Sequence, residues 1–348
     1  IRRPPRSTQG VSSAASDVYK RQLSYSKSSY QDATQGAALA SDTDNITVAT
    51  LTMCPSGSSG GNISGQIKDA STRDNVTGVL VRLREGLGNE SGSTISGKTA
   101  TTDSSGAYTI SSVDSGEYTA EASKSGYITS YFNTSACGNM SNQNANMSET
   151  LPDGAMRIVL TWNGKKDFDS HLEIPVVDDE DGDSDEDDST HLWYSVDQVD
   201  SSGNANPVTY TGVSTSDYHT YTDIVSSGDY VTLDQDNLEG IVSTCTGGAG
   251  NDQCGPETIT ISKVRSSGSY RFHVHNITDL SASTSSPSSA LADNGTFVQV
   301  FYGDTSYNFD VPRRNGNLWT VFDFDNSSGF TQLNTMSNEG TAASVDDH

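Results

Sequence analysis

The chain has few apolar and few basic residues. Of its 348 residues, 32% are hydrophobic and 20 are Lys or Arg, against 45 Asp or Glu, which gives a net charge of -25. Phosphate backbones and anionic membrane surfaces repel such a protein, so the charge excludes nucleic acid as a partner. No stretch approaches the ~18 apolar residues of a membrane span, so no transmembrane segment is expected.

Cysteine is scarce, with four residues and no CxxC motif, which argues against a zinc ribbon or a redox motif. Four cysteines permit three pairings. We expect Cys54 with Cys137 and Cys245 with Cys254, because this set closes one long and one short loop without joining domains. Disulfides persist in oxidising compartments, so this expectation favours an extracellular or cell-surface protein.

Catalytic signatures are also missing. Residues 57–61 fit the GxSxG pattern but lie in a linker with no following helix, and Asp114-Ser-Gly lacks the second Asp of an aspartic protease. Neither an HExxH motif nor a P-loop occurs. We therefore predict a protein that is not an enzyme and has no catalytic residues.

What the chain does contain is β-structure. Short alternating strands, separated by turn signals every eight to twelve residues, are typical of β-sandwiches. We predict an all-β fold with two tandem Ig-like or transthyretin-like β-sandwich domains and an extended N-terminal leader strand. The predicted organisation is a sequencing-adapter artefact at 1–22, a leader with one strand and a Gly/Ser linker at 23–61, a sandwich at 62–132, a glycosylated linker at 133–152, a larger sandwich at 153–330 and a polar tail at 331–348.

The first 22 residues differ in composition from everything that follows. They hold five of the 20 basic residues and one acid, and they resemble translated adapter read-through. We therefore leave them out of the fold prediction, and the true N-terminus stays open.

Residues 62–132 carry a recognisable pattern of turns and strands. Its elements are Gly65, the strand Val79 to Leu83, the turn 103–106 before Tyr108, the turn 116–118 and the pair Gly126-Tyr127. The pattern resembles the carboxypeptidase-regulatory-like, or transthyretin-like, module. The resemblance implies a structural or adhesive β-sandwich without catalytic residues of its own.

The second predicted domain carries a different set of motifs. They are Arg157–Trp162, Asp167–Leu172, Leu233–Asp236, Gly255–Ile261 and Gly268–His275. This combination resembles a largely uncharacterised family of extracellular β-sandwich domains from bacterial surface proteins. The chain departs from that family in an acidic insert at 178–188 and in the loop between Cys245 and Cys254.

Five acidic residues fall at predicted strand ends, and the corresponding acids of the similar family cluster. Calcium accepts six to eight oxygen ligands, so such a cluster predicts a structural Ca²⁺ ion; the alternative is independently solvated turn acids. The acidic insert is predicted to be a solvated loop. The candidate ligands are Asp167, Asp169, Asp234, Asp236 and Glu257.

Two histidines, His273 and His275, alternate on a predicted strand and therefore face the same side, which suits a transition metal. A third ligand is not evident, because His171 or His191 could approach only through folding. We therefore interpret the pair as strand packing or surface.

Ten Asn-x-Ser/Thr triplets favour a secreted glycoprotein, since most lie in predicted turns and linkers. The alternative is a Ser/Thr-rich surface that forms triplets by accident. The candidate sites are Asn45, Asn62, Asn75, Asn89, Asn133, Asn139, Asn146, Asn276, Asn294 and Asn326.

The leader holds one predicted strand, with Ile46, Val48, Leu51 and Met53 as its apolar residues. An isolated strand must pair with a sheet, either its own or that of a neighbouring subunit. We predict a non-catalytic extracellular structural or adhesive glycoprotein. The sharper hypothesis is that the leader strand joins subunits into a homopolymeric surface fibril.

Two other functions remain open. The first is a carbohydrate-binding surface module in which aromatic rings stack on glycans, with Trp193, Tyr194, Trp319 and Tyr302 as candidates, although Trp162 and Trp319 fit a core better. The second is an accessory fragment of a secreted hydrolase whose catalytic part lies outside this chain.

Overall fold

The computed structural model describes residues 19–39, 53–175, 189–193, 231–235, 237, 240, 256–266, 268–283 and 285–347. In these residues almost all regular structure is β-strand, which confirms the all-β prediction. The helices are one turn of α-helix, α1, and two short 3₁₀ helices. They span Ala290–Asp293, Ile277–Asp279 and Ala342–Asp347.

The leader forms a hairpin of strands β1, Tyr19–Tyr25, and β2, Ala33–Leu39. The prediction of a single leader strand missed this hairpin, and β1 crosses the predicted boundary at residue 22. Strand β2 contacts the first sandwich, because the Gly36 amide donates to the Leu87 carbonyl at 2.7 Å. Of the predicted assembly strand, Met53 is half-buried and Ile46, Val48 and Leu51 lie outside the described residues.

The first sandwich consists of a three-stranded and a four-stranded sheet, in the orders β6-β3-β9 and β5-β4-β7-β8. Its core is mainly aliphatic, and Gly65 is required where β3 passes close to the chain at Gln143, because a Cβ would lie 2.0 Å from the Gln143 carbonyl oxygen. The strands are β3 Gly61–Asp69, β4 Leu80–Glu85, β5 Thr94–Thr101, β6 Ala107–Val113, β7 Glu117–Ser123, β8 Ser130–Ser135 and β9 Ala145–Met147.

The predicted linker at 133–152 is wrong, because this segment belongs to the first sandwich. Strand β9 pairs in parallel with β3, and Ala136, Ala145 and Met147 are buried in the core. The composition of the segment is polar because only alternate residues face the core, and two of these are the small residues Ala136 and Ala145. Directly after Met147, the Ser148 hydroxyl accepts a hydrogen bond from the Arg157 guanidinium at 2.7 Å.

The second sandwich packs two five-stranded sheets, in the orders β13-β14-β10-β16-β17 and β12-β11-β15-β18-β19. Large aromatic side chains, including Trp162 and Trp319, fill its core, as the sequence predicted. The strands are β10 Met156–Thr161, β11 Phe168–Pro175, β12 Ser189–Leu192, β13 Val231–Gln235, β14 Glu257–Ile261, β15 Ser269–Asn276, β16 Phe297–Tyr302, β17 Thr305–Asp310, β18 Leu318–Asp325 and β19 Gly329–Ser337.

The predicted polar tail at 331–348 is also wrong. Strand β19 pairs with β18 and forms the last strand of its sheet, and Val345 in the following 3₁₀ helix is fully buried. An outermost strand needs only one apolar face, and in β19 residues such as Phe330 and Met336 form it. The remaining residues are polar, so the composition of the segment resembled that of a tail.

The two sandwiches pack directly against each other. Ala70 and Ile128 of the first form an apolar cluster with Val159 and Phe301 of the second. Val159 and Phe301 point away from the core of their own sandwich, because their neighbours along each strand fill that core. The first sandwich therefore covers the outer face of the sheet that contains β10 and β16.

Candidate functional site

The predicted calcium ligands separate into two places. Asp169 and Glu257 are buried, and the Glu257 carboxylate accepts hydrogen bonds from the Ser170 amide at 2.7 Å and from the Asn237 amide at 3.3 Å. Asp167 immediately precedes β11 and is half-buried. All three acids lie near the start of β11, but Asp169 is paired in register with His275 and points to the outer face, whereas Glu257 points to the core.

Asp234 does not join them. Its carboxylate accepts a hydrogen bond from the Thr260 hydroxyl, and burial raises its pKa to about 6. Thr260 and Glu257 point to opposite faces of β14, so Asp234 is on the side opposite to Glu257. Asp236 and the acidic insert 178–188 lie outside the described residues. Calcium binding stays a prediction, which equal melting temperatures in calcium and in chelator would contradict.

Histidines gather on the outer face of the other sheet. His171 on β11 is paired in register with His273 on β15, and His275 follows on the same face. His191 lies on the neighbouring β12. His171, His273 and His275 are fully buried, although the outer face of a two-sheet sandwich is usually solvated. We call these four residues the histidine cluster.

The rings of the histidine cluster contact one another. His171 Nδ1 lies 2.8 Å from His191 Nε2, and the rings of His171 and His275 meet edge to face with centroids 5.6 Å apart. Trp193 stacks on both His171 and His191, at interplanar angles of 12° and 16°. Burial, followed by the neighbouring histidines, holds the pKa of His171 well below its usual range, so the ring is neutral at pH 7.

His273 differs from the other members because hydrogen-bond partners are present at both ring nitrogens. Its Nε2 lies 2.7 Å from a Glu173 carboxylate oxygen and its Nδ1 lies 3.0 Å from the Thr320 hydroxyl. Beside it, Arg271 and Asp323 form an ion pair at 2.7 Å. The interpretation of His273 and His275 as strand packing agrees with their burial, but the sequence did not show that His171 and His191 would join them.

The first sandwich contains the expected disulfide between Cys54 and Cys137, which joins the end of the leader to the segment after β8. The Glu117 carboxylate lies 3.7 Å from Cys54 Sγ and 4.0 Å from Cys137 Sγ. Burial raises the pKa of Glu117 to about 7. While the disulfide is intact its sulfurs are not thiolate ligands, so this group does not form a metal site. Cys245 and Cys254 lie outside the described residues.

The structure separates the predicted glycosylation sites by exposure. Asn62, Asn75, Asn139 and Asn326 are exposed. Asn89, Asn133 and Asn294 are half-buried, and Asn45 lies outside the described residues.

Asn146 and Asn276 are fully buried, and the Asn146 side chain donates to the Thr161 hydroxyl at 2.7 Å. Glycosylation at these two positions is therefore wrong for the folded chain, because a glycan has no space there.

The aromatic residues expected to stack on glycans do not form a row. Trp162 and Trp319 are fully buried in the core, and Trp193 packs against the histidine cluster. Tyr302 donates its hydroxyl proton to Asn326 at 2.8 Å, and Tyr194 lies outside the described residues. The described part of the chain also contains no helix long and apolar enough to cross a membrane.

Comparison with known proteins supports the first resemblance. Residues 62–148 match the model of the carboxypeptidase regulatory-like domain, which includes the segment predicted as a linker. No curated protein matches the chain.

Among solved structures, the chain is 25% identical to a chain of a type II cohesin–X-dockerin complex from Acetivibrio cellulolyticus, over 25% of this chain and 57% of that one, with a TM-score of 0.20. The major pilin SpaD of Corynebacterium diphtheriae is 14% identical, over 72% and 64% of the two chains, with a TM-score of 0.23. A streptococcal ancillary pilin is 11% identical, over 72% and 63%, with a TM-score of 0.22. TM-scores this low carry no functional argument.

Proposed function

We propose that the chain is a non-catalytic extracellular structural or adhesive protein whose two β-sandwiches form one rigid unit. The observation that carries the proposal is the interface between the sandwiches. Domains within a chain usually move relative to each other unless their interface is large and apolar. Here an apolar centre is surrounded by buried hydrogen bonds.

Those hydrogen bonds fix the orientation of the domains. The Gln299 amide, fully buried on β16, donates to the Ser130 hydroxyl at 2.8 Å and to the Tyr131 carbonyl at 3.2 Å. Asn133 donates to the Asp310 carboxylate at 2.8 Å, and the Thr258 hydroxyl donates to the Ala70 carbonyl at 2.6 Å. Buried amides lose their hydrogen bonds if the domains rotate, so the interface resists bending.

An extracellular location is supported by the disulfide and by the exposed glycosylation triplets. Disulfides persist mainly in oxidising compartments. Exposed triplets are accessible to glycosylation in a secreted protein. The match to the carboxypeptidase regulatory-like domain agrees with a structural or adhesive role for the first sandwich.

The finer part of the proposal is polymerisation through the leader. The segment 40–53 runs between β2, which contacts Leu87, and Cys54, which is tied to Cys137. Both ends are thus attached to their own subunit, so the predicted strand would reach a neighbour as a loop. Strand β19 is the last strand of its sheet and is partly exposed, which makes it a suitable acceptor.

Negative-stain microscopy of the secreted chain tests this part, with and without calcium. Filaments with a subunit-sized repeat are expected, and the double variant Ile46→Asp/Val48→Asp should abolish them. Ala49→Asp, on the alternate face of the predicted strand, is the matched control. Isolated two-domain particles at high concentration would contradict polymerisation. An adhesive role would then be tested by glycan-binding assays.

A further inference from the structure

We propose that the disulfide between Cys54 and Cys137 is a redox-active bond that external thiols open in the folded chain, with Glu117 as the proton donor to the departing sulfur of Cys54. The disulfide joins the end of the leader to the segment after β8. One oxygen of Glu117 and both sulfurs lie within 4.8 Å of one another. The proposal does not depend on polymerisation, because it concerns the chemistry of this bond alone.

The first argument is the difference in exposure between the two cysteines. Cys54 is 1% exposed, whereas Cys137 is half-buried. Access is one of the factors that decide which sulfur of a disulfide an incoming thiolate attacks. Attack is therefore expected at Cys137, and the sulfur that departs is the buried sulfur of Cys54.

The second argument is the group that receives the departing sulfur. A thiolate released in a buried position is unfavourable unless its charge is neutralised. The Glu117 carboxyl lies 3.7 Å from Cys54 Sγ, and the Gly116 carbonyl, at 3.8 Å, can accept a hydrogen bond from the resulting thiol. Burial raises the pKa of Glu117 to about 7, so this carboxyl still carries a proton near neutral pH, where a general acid is most effective.

The third argument is that Glu117 can recover its proton from solvent, because it lines a cleft of about 330 Å³. The other charged or titratable side chains that line this cleft are Asp32, Glu85, Lys98, Asp114 and Tyr118. The three acids among them are exposed, so solvent screens their charges. Among the described residues of the cleft, Glu117 is therefore the acid placed to deliver a proton to the disulfide.

The reaction requires only two molecules of an external thiol. The first, as a thiolate, forms a bond to Cys137 Sγ while the S–S bond breaks, and the electron pair of that bond passes to Cys54 Sγ, which takes the Glu117 proton. The second thiolate attacks the external sulfur of the mixed disulfide and releases Cys137. The external thiols are thus oxidised to their disulfide and the protein disulfide is reduced to two thiols. The protons that the external thiols release reach Glu117 and Cys137 through solvent.

The test treats the full chain with reduced glutathione in the absence of denaturant. Free thiols are blocked with iodoacetamide at timed intervals, and the products are located by peptide mass spectrometry. The first product should contain glutathione on Cys137 and a free thiol at Cys54. Both sulfurs are accessible in an unfolded chain, so this selectivity identifies a reaction of the folded chain.

The role of Glu117 is tested by the pH dependence of the rate, divided by the thiolate concentration of glutathione. This corrected rate should fall about tenfold from pH 6 to pH 8, because Glu117 loses its proton over this range. Glu117→Gln cannot transfer a proton, so its corrected rate should be about tenfold lower at pH 6 and constant up to pH 8. Glu85→Gln, which removes an exposed acid from the same cleft, is the matched control and should react as the unmodified chain does.

Three outcomes overturn the proposal. The first is a folded chain that does not react with millimolar glutathione, and the second is a first product with glutathione on Cys54. The third is a corrected rate that does not change with pH in the unmodified chain, or that falls equally in Glu117→Gln. Circular dichroism identifies a variant that fails to fold, and the measurements on the unmodified chain stand without it. None of these outcomes affects the proposed rigid two-domain unit.

Discussion

The two sandwiches are stabilised in different ways although both are built from two sheets. The core of the first contains mainly Ile, Val, Leu and Ala, together with Tyr108, Tyr118 and Phe132. The core of the second contains eight buried aromatic side chains. The smaller domain has a disulfide and a docked leader in addition, which is the usual supplement where a small core buries too little apolar surface.

The outer faces show a second difference. Strand β5 of the first sandwich is largely exposed, as expected for a sheet with one solvated face. In the second sandwich both outer faces contain fully buried residues: Gln299 and Phe301 on one side, and the histidine cluster on the other. Both outer faces of the second sandwich therefore contain residues that are shielded from solvent.

The largest effect is expected in the aromatic core. Phe322 packs against Phe272, Phe309 and Phe330, with ring centroids 5.6, 4.8 and 5.1 Å apart. Phe322→Ala should lower the free energy of unfolding of the second sandwich by about 3–5 kcal/mol, because it leaves a cavity among rigid rings. Chemical denaturation checks this. An equal loss of stability in the first sandwich would contradict the view that the two cores are separate.

The next largest effect is expected from the disulfide. Cys54→Ser/Cys137→Ser opens a connection between residues 83 apart in sequence and should cost the first sandwich about 2–4 kcal/mol. The second sandwich contains no described disulfide, so its unfolding should change little. Calorimetry of the double variant, compared with the reducing-agent-treated chain, separates the two transitions. Equal destabilisation of both domains would show that they unfold as one unit.

These differences mark what could be predicted from sequence. Alternation and turn signals gave the two sandwiches and most strands of the second, because strand periodicity is local. Strands β9 and β19 were missed because their inward residues are few or small. The cluster of His171 with His275 depends on the pairing of β11 with β15, about 100 residues apart, which no local pattern contains.

The candidate site shows the same limit. The motif containing Asp167 and Asp169 predicted acids at a strand end, and Asp169 and Glu257 do lie near that end. The direction of the Asp234 side chain depended on the register of β13 with β14, which shifts between Leu233 and Gln235. A bulge changes side-chain direction without a clear sequence signal.

A smaller effect is expected at the interface between the sandwiches. Gln299→Ala removes hydrogen bonds to Ser130 and Tyr131 and leaves buried partners unsatisfied, at a cost of about 1–3 kcal/mol. The change should lower the melting temperatures of both sandwiches, because the lost hydrogen bonds join the two. Gln332→Ala on strand β19, away from the interface, is the control. Shifts in Gln299→Ala that are no larger than those in Gln332→Ala would contradict an interface that stabilises both sandwiches.

The smallest effect concerns pH and the first sandwich alone. Burial raises the pKa of Glu117 from 4.5 to about 7, so the folded chain retains a proton that the unfolded chain releases between these values. The first sandwich should therefore gain stability as the pH falls from 7 to 4.5, by about 1 kcal/mol once screening at the bordering cleft is allowed for.

Glu117→Gln should remove this dependence and stabilise the domain at pH 8, since it keeps the neutral shape of the side chain beside the disulfide. Thermal melts at pH 5 and pH 8 measure the difference, and Glu85→Gln, exposed on the same cleft, is the control. The opposite slope, with stability lost on acidification of the unmodified first sandwich, would mean that Glu117 is ionised in the folded chain. The disulfide of the first sandwich would then lie beside a negative charge.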